Sequence, residues 1–98
     1  MGATIKEQFS SNPTNNDIRL VTGSATAVQF PNIPLLMVRF KARSTNIGSF
    51  LLGETVNDLY WELDAGDDTG WVALQNLDHL WYQNASGTSD YLAIWIQK

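Results

Sequence analysis

Cysteine is absent from the 98 residues, which excludes a disulfide-stapled scaffold, a thiolate zinc site and a thiol nucleophile together. Basic residues are scarce: six Lys and Arg stand against ten Asp and Glu, for a formal net charge of −4. Phosphate binding needs a basic stripe, so nucleic acid is not an expected partner. No apolar run approaches the ~20 residues of a membrane-spanning helix, and the first residues lack the apolar stretch of an export signal. The expectation is a soluble chain with no membrane partner, made in the cytoplasm. No window keeps a helical period for ten or more residues, which leaves strands as the regular element.

A chain of this length forms one domain and buries roughly 65% of its unfolded surface, enough for a thin core. Residues Met1 to Asp17 differ from the rest. Ser10-Ser-Asn-Pro-Thr-Asn-Asn-Asp17 is polar and interrupted by proline, so it has little to bury. Only Ile5 and Phe9 offer anchors there. Residues 1–17 read as an extended arm that frays or docks on a neighbouring molecule, and residues 18–98 as the folded domain.

From Ile18 onward, short apolar stretches alternate with turn residues at the spacing of a sandwich or barrel. The expected strands are Ile18 to Val21, Ala27 to Phe30, Leu35 to Ala42, Ser49 to Leu52, Leu59 to Leu63, Gly70 to Leu74, Leu80 to Asn84 and Asp90 to Gln97. Pro31 and Pro34 force an extended corner that no continuous ladder can cross. In the longest strand, alternation assigns Leu36, Val38, Phe40 and Ala42 to the core, and Met37, Arg39, Lys41 and Arg43 to solvent. The three cations on one face are expected to solvate it. About eight short strands with Gly, Asn and Pro turns predict an all-β fold. Its form would be a small antiparallel β-sandwich, jelly-roll-like or otherwise Greek-key.

The stretch Val28-Gln-Phe-Pro-Asn-Ile-Pro34, with Val38, Lys41-Ala42 and Asn46-Ile-Gly48, resembles a family of small virion proteins of tailed bacteriophages. Leu63-Asp-Ala-Gly66, Asn76-Leu77, Leu80 to Tyr82, Ser86-Gly87 and Tyr91-Leu92-Ala93 continue the likeness to the C-terminus. Several such proteins resemble capsid cement or decoration proteins, sandwiches that sit on the shell and brace neighbouring subunits. The resemblance implies the outer capsid surface as location, the major capsid protein as partner, a homo-oligomer on the lattice, and no cofactor. The chain departs from the pattern at Gly53-Glu-Thr-Val-Asn-Asp58, where relatives carry a longer Gly/Ser/Thr-rich loop. It is also unusually rich in tryptophan.

Other residues carry groups capable of chemistry. Asp64, Asp67 and Asp68 crowd one turn, but the alternating acids and terminal Glu of a calcium loop are missing, and aspartates bonding their own turn explain the segment. His79 is the single histidine, with neither a nucleophile elbow nor a second histidine at ligand spacing. It reads as a turn or surface residue, with Asp78 on the opposite face if both lie on a strand. Glu54 and Glu62 could in principle pair as glycosidase carboxylates, but nothing in their setting suggests it and a domain this small rarely hosts such a cleft. Asn84-Ala85-Ser86 matches a glycosylation sequon but has no secretory context.

The aromatics Tyr60, Trp61, Trp71, Trp81, Tyr82, Tyr91 and Trp95 crowd the second half. Adjacent pairs such as Trp81 and Tyr82, or Tyr60 and Trp61, point to opposite faces of a strand. One of each pair is therefore expected in the core and the other outside. An outside ring serves a protein contact or a sugar-stacking platform. The expected contact residues are Ile5, Phe9, Trp81 and Trp95. The expected function is a structural capsid decoration protein rather than an enzyme, with a carbohydrate-binding module as the alternative.

Overall fold

A computed structural model describes residues 16–86 and 89–98; the expectations for Ile5, Phe9 and the rest of residues 1–15 lie outside them. The eight expected strands are all present: β1 (Asn16–Thr22), β2 (Val28–Gln29), β3 (Met37–Ala42), β4 (Phe50–Gly53), β5 (Trp61–Leu63), β6 (Val72–Ala73), β7 (Trp81–Gln83) and β8 (Tyr91–Gln97). β1 starts at Asn16, within the segment expected as arm. A 3₁₀ turn at Leu77–His79 was not foreseen; it is capped by the Asn76 side chain, which accepts from the Asp78 N–H.

The strands form two four-stranded antiparallel sheets, ordered β1-β8-β3-β6 and β2-β7-β4-β5. First pairs with last, second with seventh, third with sixth and fourth with fifth. This is one long antiparallel ribbon, folded over at residues 54–60 and rolled on itself, the eight-stranded jelly roll. At its far turn Gly53 has no substitute. A Cβ there would lie 1.8 Å from the carbonyl oxygen of Asp58.

Alternation builds the core. Val38, Phe40 and Ala42 of β3, Phe50 and Leu52 of β4, and Leu92, Ile94 and Ile96 of β8 are fully buried between the sheets. Phe30 stacks on Tyr82 at 4.5 Å and faces Phe40 at 5.5 Å, while Trp61 meets Phe40 edge-on. Each buried Phe, Leu or Ile of this kind stabilises by roughly 1.5–3 kcal/mol over leaving it exposed.

Leu36 overturns its expectation. It is 65% exposed, and Leu35 is buried in its place. Leu36 donates its N–H to the carbonyl of Gln97, the residue that already faces Met37. Two residues thus oppose one in a β-bulge, and the extra residue shifts the in-out alternation by one before Val38 resumes it.

Candidate functional site

The longest strands meet in the sheet β1-β8-β3-β6, and their outward residues make a ladder. Directly opposed residues of antiparallel strands share a face, so the register sets three rows. Ile18 faces Trp95, which faces Arg39; Leu20 faces Ala93, which faces Lys41. Thr22 faces Tyr91, whose carbonyl accepts from the Arg43 N–H at 3.2 Å. Rows repeat about every 7 Å along the strands. Each row runs from a β1 side chain, apolar in the first two, through the middle file to a cation.

Two of these cations lie over aromatic rings. The Arg39 guanidinium sits 5.2 Å from the centre of the Trp95 ring and that of Arg43 5.0 Å from Tyr91, geometry in which ring and charge attract. Arg39 is also gripped by Asp68, Nε donating to both carboxylate oxygens at 2.9 and 3.0 Å and Nη2 donating to Oδ2. The bond from Arg39 holds the Asp68 carboxyl at about 2. Partial burial opposes it, and the Gly70 N–H and the charges of Arg39 and Lys41 assist. The same bond raises the Arg39 guanidinium above its ordinary value. Lys41 and Arg43 have no carboxylate partner among the described residues.

The ladder is unusual in the placing of β1. Its inward positions, opposite Ile94 and Ile96, carry Arg19 and Asp17, whereas its outward positions carry Ile18 and Leu20, 42% and 54% exposed. Apolar side chains turned from the core beside an arginine-backed tryptophan form the composition found at protein contacts. The sequence signal was readable as i, i+2 spacing in β1, β3 and β8. What it lacked was the register that aligns the three files.

Trp95 therefore lies within the ladder. Trp81 does not: it stands on the outer face of the other sheet, opposite Gln29 and Gly53. The two expected contact tryptophans occupy opposite sides of the molecule. The expected splitting of aromatic pairs holds. Tyr82 and Trp61 pack on the core, and Tyr60 is 77% exposed. Trp71, just before β6, is also exposed.

The aspartates of the turn have structural partners. Asp67 accepts from the Asp64 N–H and Asp68 from the Gly70 N–H, bonds within one turn. His79 is exposed on the 3₁₀ turn, its Nε2 4.0 Å from Asp78, so these two are neighbours and not on opposite faces of a strand. Glu62 projects from the outer face of β5 opposite Leu51, while Glu54 lines a groove of about 290 Å³ with Tyr60, Trp61, Val72 and Leu74.

Sequence reasoning missed a buried polar clamp at one end of the sandwich. Asp90 and Asn84 are fully buried. The Asp90 carboxylate accepts from the N–H groups of Ile47 and Gly48, both at 2.7 Å, and from Asn84 Nδ2 at 3.0 Å. Asn46 clasps the main chain of Tyr91 through both its side-chain oxygen and nitrogen. Burial pushes the Asp90 carboxyl up, but the donors from Ile47, Gly48 and Asn84 outweigh it and hold it below its ordinary value. The clamp fixes the start of β8, and with it the middle file of the ladder.

Compared with known proteins, the chain matches no family model, no curated protein and no solved structure.

Proposed function

We propose that this protein is a binding module without turnover that attaches to another protein through the ladder face of the sheet β1-β8-β3-β6. In the form its sequence resemblance implies, it is a decoration protein of a tailed-phage capsid, seated on the outer shell and bracing capsomer junctions. The observation that carries the reading is the outward row of Ile18, Trp95 and Arg39, with Leu20 exposed beside it. Tryptophan and arginine at the centre of a face are the residues most often found to dominate binding energy. Room is sufficient: the body measures 37 × 29 × 19 Å, and its broad face can supply the ~800 Å² that each partner gives to a standard interface.

The test is shell occupancy. Trp95→Ala should weaken attachment to purified capsids by tenfold or more, on the order of a hot-spot loss, while Trp81→Ala on the opposite face changes it little. Equal retention by both variants would remove the ladder from the contact.

A second reading, a carbohydrate-binding module, is favoured by the groove where exposed Tyr60 stands beside Trp61 and Glu54. Glycan binding that quenches tryptophan fluorescence and is lost in Tyr60→Ala would put that reading ahead.

A further inference from the structure

The sheet β1-β8-β3-β6 ends on β1, an edge unlike the other three. β2 and β6 have two residues and β5 three, whereas β1 runs for seven without proline. Its bonds to β8 come from the odd-numbered residues. The Gly23 N–H donates to the Asp90 carbonyl at 2.8 Å, and the register continues through Val21, Arg19 and Asp17. In an antiparallel ladder the main-chain groups of Ile18, Leu20 and Thr22 then point away from β8. Among the described residues no strand pairs with them. A long edge of unpaired groups is a template for another strand.

Inward charges on an edge ordinarily oppose such pairing. Here the two charges are of opposite sign and two residues apart, Asp17 and Arg19, and they touch each other at 3.2 Å. That spacing is self-complementary about Ile18. We propose that two copies of this chain join β1 to β1, antiparallel about a two-fold axis at Ile18, into one continuous eight-stranded sheet. With the axis there, Ile18 faces Ile18, and Asp17 of each copy faces Arg19 of the other. An axis at Asp17 or Arg19 sets like charges opposite each other, and one at Leu20 leaves both charges unmatched. The Ile18 main-chain groups exchange both hydrogen bonds, while the charged residues fall in the pairs whose side chains lie closer. Opposed residues share a face, so the two ladders merge across the seam into a surface of twice the width.

This deepens the proposed function, since it rests on the ladder being the binding face, but the dimer is measured without any shell. Sedimentation equilibrium on the full 98-residue chain should show a dimer. Arg19→Asp and Asp17→Arg should each raise its dissociation constant roughly tenfold or more, because two attractive cross-strand pairs become repulsive. The double exchange D17R/R19D should return it to near the wild-type value. An equimolar mixture of the two single variants should form a heterodimer, Asp facing Arg on both sides. Amide exchange at Ile18 and Leu20 should slow as concentration rises. A chain that stays monomeric, single variants that dimerise like wild type, or amide protection independent of concentration would each overturn the dimer. None of these results touches shell binding, whereas loss of capsid specificity for Trp95 with an intact dimer would count against the ladder alone.

Discussion

Phe40 and Leu36 both sat on the expected inward face of one strand, yet they differ completely in what they touch. Phe40 is fully buried between Phe30 and Trp61, and Leu36 stands in solvent on the bulge. Phe40→Ala should therefore cost ~3–5 kcal/mol, and Leu36→Ala under ~0.5 kcal/mol. Urea unfolding of the two variants measures both; comparable losses would mean that the bulge is misplaced. The alternation from Val38 to Ala42 was legible because a half-buried strand has no other way to satisfy both faces. Leu36 was not legible, because a bulge is defined by the partner strand. Gln97, sixty-one residues away by number, supplies the carbonyl that creates it.

At the scale of elements, all eight strands were readable from turn chemistry and apolar clusters, and their pairing was not. Nothing local to Asn84 or Asp90 announces that a loop from Ile47 to Gly48 will wrap onto their side chains. The clamp and the Arg39–Asp68 pair together have a measurable acid signature. Asp68 at about 2 and Asp90 below its ordinary value are both depressed in the fold. The unfolded chain, with carboxyls near 4, binds protons first as pH falls. The stabilisation is thus complete above about pH 5 and is lost as pH drops through the folded values. The melting temperature should fall steadily from about pH 5 to pH 2. Asp90→Asn should lower it at neutral pH and flatten that acid limb, whereas Asp68→Asn, at an exposed pair, should have a small effect. An unchanged acid limb in Asp90→Asn would show that another group governs acid unfolding.

For the whole molecule, the candidate site was legible in parts. Arg39, Lys41 and Arg43 were visible as one file of a strand, and Trp95 as a ring on a strand with a better claim to the surface than to the core. Their combination was hidden, because β1 and β8 are the first and last strands of the described chain and lie side by side only after the ribbon has rolled up. Trp81, chosen on the same grounds, fell on the opposite side of the sandwich. Under the proposed function, the protein should raise the temperature at which shells fail. Calorimetry of shells alone, with wild type and with Trp95→Ala would order them as bare, variant, wild type. Identical melting of bare and decorated shells would remove the bracing role.

The central place of β8 has a consequence for how the protein is made. The middle file of the ladder, Tyr91, Ala93 and Trp95, lies on a strand that leaves the ribosome after the other seven. Until it arrives, β1 has no partner among the described strands and β3 keeps only β6. A nascent or truncated chain that ends before Tyr91 lacks the middle file of the ladder as well as the strand with which both β1 and β3 pair. Under the proposed function, such a chain has no surface with which to take a place on the shell, a form of proofreading built into the strand order.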